Sequence, residues 1–93
     1  MKFLILLALV VSCASKPGVL TEKAKNLEVY PNKPAGCQVV GKVVGVDRNG
    51  STELATNHAL NQAADEKATG IVVNQEVPNG NARSVFATAY RCD

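Results

Sequence analysis

The chain is expected to fold as a small α+β domain. A small antiparallel or mixed sheet carries one helix on one face, in the order β-β-α-β-β, with one disulfide. Three observations predict this. Two β-branched runs, Cys37 to Val46 and Ile71 to Val77, are bounded by turn residues, as strands are. Between them, alanines recur at helical spacing on one face. Of three cysteines, the last two lie 55 positions apart and bracket most of that region. With 93 residues there is room for one small domain and none for a multi-domain enzyme. The net charge of +2 comes from 10 basic and 8 acidic residues without clustering, which argues against a nucleic-acid partner.

The first element is a targeting segment. Lys2 precedes nine apolar residues, Phe3 to Val11. As a helix they reach only ~14 Å, about half a bilayer core, so a spanning helix is excluded. A positive start, a short apolar core and then a small residue form the layout of a secretory signal. Val10-Val11-Ser12-Cys13 resembles the lipobox of bacterial lipoproteins. That resemblance implies cleavage between Ser12 and Cys13, a diacylglyceryl group on the Cys13 sulfur and a further acyl chain, such as palmitate, on the new amine. One acyl chain binds a membrane only marginally and several bind it stably. The alternative is an ordinary secretory signal in which Cys13 is a bystander. In Gram-negative lipoproteins Asp after the lipidated Cys favours inner-membrane retention. Ala14 stands there in this chain, so the expected place is the outer membrane, lipid-anchored, on its periplasmic side.

The expected organisation is residues 1–12 as signal peptide, 13–25 as lipidated N-terminus and tether, and 26–93 as the periplasmic domain. Ala14 to Lys25 is polar, contains Pro17 and Gly18, and reads as tether. With Cys13 consumed by lipid, Cys37 and Cys92 remain in an oxidising compartment, where a pair in a small domain reads as a disulfide. The competing reading is a redox-active or nucleophilic Cys37 with His58 as its base, but no CxxC or other local signature supports it. One His and two Cys without finger-like spacing leave no expected metal site, and no cofactor is implied.

Asn26 to Tyr30 alternates polar and apolar residues, the pattern of a short half-buried strand, and Pro31 to Pro34 breaks it. The Cys37 to Val46 strand follows. Its Gly41 and Gly45 suggest a bend or a close helix approach, not a phosphate loop. After the Asp47 to Gly50 loop, Ser51 or Thr52 caps a helix with Glu53 in its first turn. The helix is expected to reach about Ala68, with Gly70 as a natural cap residue. Ala55, Ala59, Leu60, Ala63 and Ala64 share its buried face, and so small a face should lie close to a sheet. Asn57, His58, Asn61 and Asp65 share the other, which is either solvated or a partner surface. Ile71 to Val77 is the next strand, Pro78 to Asn81 a hairpin turn, and Arg83 to Cys92 the last strand. A Cys37–Cys92 bond then requires the last strand to lie between the other two long ones, a split βαβ unit. By parity Cys37, Val39 and Val43 share one face, and Phe86, Tyr90 and Cys92 share one face.

Gly36-Cys37-x-Val39-x-Gly41-x-Val43, then Leu60-Asn61-x-Ala63-Ala64 with Gly70-x-Val72-Val73, then Ala89-Tyr90-Arg91-Cys92 form a frame over roughly residues 25 to 93. It resembles a family of small envelope lipoproteins of proteobacteria. It is more distantly similar to the sensor lipoprotein of the Rcs phosphorelay, which has more cysteines and a long Pro-rich linker. The function expected is that of a non-catalytic, outer-membrane-anchored envelope protein whose domain binds another protein or the cell wall. The alternatives are an envelope-stress sensor and a Cys37/His58-dependent enzyme. Lys42, Arg48, Arg83 and Arg91 offer a basic spot or a solvated scatter. Phe86 and Tyr90 offer core packing or a partner contact.

Overall fold

The computed structural model describes residues 18–92, so Ser12, Cys13 and the apolar run before them lie outside the described residues. Four strands, β1 (Glu28–Tyr30), β2 (Gln38–Asp47), β3 (Gly70–Asn79) and β4 (Ala82–Arg91), form one sheet in the order β1-β3-β4-β2. One helix, α1 (Thr52–Asp65), joins β2 to β3. β4 runs antiparallel to both β2 and β3, and β1 is parallel to β3. The last strand thus lies between the other two long ones, as the disulfide requires, and Cys37 and Cys92 are bonded.

Helix α1 starts as expected and ends early. Ser51 is the cap: its Oγ accepts the Leu54 N–H at 3.1 Å. Asp47 Oδ2 accepts the Ser51 N–H at 2.8 Å and ties the loop to the cap. At the other end Lys67 adopts a positive φ of 63°. Its N–H bonds to the Ala64 carbonyl and the Ala68 N–H to the Ala63 carbonyl, a Schellman stop. Gly70, expected as the cap, is instead the first residue of β3. The helix ends where two carbonyls find donors, and that pairing does not depend on a glycine.

The core lies between α1 and one face of the sheet. Ala55, Ala59, Leu60, Ala63 and Ala64 bury the expected face against Val43, Ile71, Val85, Ala87 and Ala89. Gly45 permits the close approach, because a Cβ there would meet the Ala55 carbonyl oxygen and the Ala59 amide nitrogen. Phe86 and Tyr90 share a face as expected, but a register shift in β2 corrects the expected parity of Val39 and Val43, and β3 carries a second shift. One falls between Val39 and Gly41 and the other between Val73 and Gln75. Each sets two residues against one and turns the following side chains to the other face. Val39 is therefore 56% exposed while Val43 is 2% exposed, and the two lie on opposite faces. The β3–β4 hairpin closes through Gly80 and Asn81 alone, with Pro78 and Asn79 still in the strand. Positive φ at Gly80 (65°) and not at Asn81 suits a II′ turn.

Candidate functional site

Part of the polar face of α1 binds the chain's own segment ahead of β1, while Asp65 stays exposed. Asn57 Nδ2 donates to the Gly18 carbonyl at 3.2 Å. Asn61 makes a two-way contact with the same backbone: its Nδ2 donates to the Val19 carbonyl and its Oδ1 accepts the Thr21 N–H, both at 2.9 Å. Asp65 pairs with Lys23 at 3.4 Å, an exposed contact of small energetic weight. Ala24 sits in a short 3-10 turn and is buried in the core, with Leu20 and Leu27 packed beside it. Residues 18–25, expected as part of the tether, are therefore bound to the domain. The stretch from Gly18 to Leu27 is a strap laid along the helix, and the ordered domain begins well ahead of residue 26. The spacing of Leu20, Ala24 and Leu27 in an otherwise polar stretch is the sequence signal for it.

His58 closes a different gap. β2 is an edge strand, and alternate N–H and C=O groups point away from β4. His58 Nδ1 accepts the Val46 N–H at 3.0 Å, and Gln62 Nε2 donates to the Val44 carbonyl. Two side chains from the helix thus take up the Val44–Val46 part of an edge that would otherwise template another strand. Gln62 has no sequence signal for this role, because its partner is a backbone atom set by tertiary packing. On the opposite edge β1 covers only Gly70 to Val72 of β3. The rest of that edge carries Pro78 and Glu76 and follows the irregularity at Asn74, all features that discourage strand addition.

Cys37 and His58 are not brought together. Cys37 precedes the first residue of β2 and is bonded to Cys92, while His58 meets the same strand near its other end. Around the disulfide, Thr69 Oγ1 accepts the Cys92 N–H at 3.0 Å and bonds the Tyr30 hydroxyl at 2.9 Å. These contacts fasten β1 and the chain terminus to one corner of the sheet. The four basic residues do not converge either. Lys42 and Arg91 lie on opposite faces by register, and Arg83 pairs with Glu76 at 3.6 Å. Arg48 lines a cleft of about 500 Å³ with Gly18, Val46, Asp47 and His58, where the strap begins. Among the described residues no three His, Cys, Asp or Glu side chains are grouped to hold a metal ion.

The sheet face away from α1 is covered at Thr88 and Tyr90 and open elsewhere along β2 and at Phe86. Val39, Val44, Val46 and Phe86 are all exposed there. Phe86 sits on the inner strand β4 and is 39% exposed, whereas Tyr90 on the same strand and face is buried beside the disulfide corner. Protein-family profiles, curated proteins and solved structures give no match to this chain.

If the strap depends on Asn61, Asn61→Ala releases two backbone groups and is expected to cost about 1–2 kcal/mol. Amide exchange should then accelerate over residues 18–27 while α1 and the sheet keep their protection.

Proposed function

We propose that the chain is a lipid-anchored, non-catalytic envelope protein whose domain is held against the periplasmic face of the outer membrane and binds an envelope partner there. The observation that carries this reading is the short distance between the lipobox cysteine and the strap. Between Cys13 and Gly18 there are four residues. Fully extended, that span reaches no more than ~18 Å. An acylated Cys13 would therefore hold the strap end of the domain, with α1's first turn and Arg48, close to the headgroups. A disulfide between Cys37 and Cys92 fits export to an oxidising compartment. Ala14 favours the outer membrane over the inner. With Cys37 bonded and His58 held by β2, a binding or structural role suits the domain better than catalysis by that pair.

The test is acylation at one atom. Cells fed an alkyne-tagged palmitate should label the wild-type protein, which should fractionate with membranes. The Cys13→Ser variant should lose the label and leave the membrane fraction. Equal labelling of both proteins, or none of either, would overturn the proposal.

A further inference from the structure

We propose that the open face of the sheet is the docking surface for a second copy of this chain, giving a two-fold dimer with sheets inside and helices outside. The composition of β2 points to a covered face. A strand wetted on one side alternates apolar and polar residues, whereas one buried on both reads as a near-continuous apolar run. β2 reads Gln-Val-Val-Gly-Lys-Val-Val-Gly-Val-Asp, yet α1 covers only one of its faces. Val44, Val46 and Phe86 are left exposed on the other. Helix side chains bond the β2 edge at Val44 and Val46, and Pro78 interrupts the β3 edge, so the face is the better surface for association.

Charge placement favours a second copy. By register the face carries Lys42 on β2 at one edge and Glu28 on β1 at the opposite edge. A two-fold axis parallel to the strands lays β2 of each copy over β1 of the other. Lys42 then stands over the partner's β1, one same-face step (~7 Å) from its Glu28, within reach of two long side chains. Phe86 of each copy meets across the axis, because β4 is an inner strand. The same axis places both strap ends at one end of the dimer, so two short anchors reach one leaflet. That last point rests on the anchor proposed above; the charge and composition points do not. Strand spacing gives the face roughly 500 Å² per copy, at the low end for a specific interface. The dimer is therefore weak, and confinement to a membrane plane raises its effective concentration.

The full chain bearing donor or acceptor fluorophores at its C-terminus, reconstituted in phosphatidylethanolamine–phosphatidylglycerol vesicles, tests this. Wild-type energy transfer should exceed random mixing. Phe86→Glu, with its fold checked by circular dichroism, should return it to the random level. Lys42→Glu should weaken association about tenfold, and adding Glu28→Lys should restore it. Random-level transfer in the wild type overturns the dimer, as does a double swap no better than the single one. Random transfer with weaker vesicle retention of Phe86→Glu assigns the face to lipid instead. Intact mass of the same preparation reports on the anchor separately: association without acyl chains keeps the face and removes the anchor.

Discussion

Replacing Cys92 with serine is expected to remove about 4 kcal/mol of stability, because the bond closes a loop of 55 residues. For a domain of this size that is a large share of the total. The melting temperature should fall on the order of 20 °C. The variant should lose the bond without losing a core side chain, since both cysteines are only half-buried and α1 packs against the other face. Reduced wild type is the matching control. It should unfold at the same urea concentration as Cys92→Ser, and oxidised wild type well above both. A variant as stable as the oxidised protein would show that the corner is held by Thr69 and Tyr30 and not by the bond.

Gly45→Ala is expected to cost about 3 kcal/mol by overpacking, with the urea midpoint lowered in proportion. An added methyl would press on two backbone atoms of α1, at Ala55 and Ala59. Backbone inside a helix cannot rotate aside, so the whole helix must lift from the sheet. That would loosen Ala59 and Ala63 from Val43 and Ala87, and would draw His58 and Gln62 off the β2 edge. Gly41→Ala is the control, because the nearest atoms to its Cβ would be those of the Glu66 side chain, which is exposed and able to swing away. Its cost should stay within about 1 kcal/mol. Equal effects at the two glycines would contradict close helix packing at Gly45.

The parts of the fold legible in the sequence are those set by local pattern or covalent arithmetic. The β-branched runs fix two strands, the alanine stripe fixes the buried face of α1, and two remaining cysteines fix which strand lies in the middle. Gly41 and Gly45 read as a bend or a close helix approach, and at Gly45 the close approach is the one found. What escapes is set by tertiary partners. The irregularities after Val39 and Val73 have no residue signature, yet they decide which valines face the helix. Lys67 takes the left-handed position because helix-end hydrogen bonds dictate it, against the preference of its side chain. Asn57, His58, Asn61 and Asp65 group correctly on one helix face, but their partners are backbone atoms 12 or more positions away, or a lysine on the strap. An exposed partner surface and an internal strap show the same polar pattern in α1. They differ only in the apolar spacing of Leu20, Ala24 and Leu27, ahead of the first strand.

The strap also changes what an anchor at Cys13 would do. A free tether reaching to residue 25 would let the domain rotate and stand off from the membrane. A strap bonded from Gly18 onward leaves four intervening residues, so an acylated Cys13 would hold a defined end of the molecule at the surface. The open sheet face would then project along the membrane, where a second anchored copy can meet it.

Intact mass spectrometry of the protein extracted from its native cells under non-reducing conditions is the most direct measurement. The expected mass is that of a chain beginning at Cys13, with acyl groups added and two hydrogens missing for the Cys37–Cys92 bond. An unacylated chain, or one that keeps the residues before Cys13, would contradict the lipid-anchored domain.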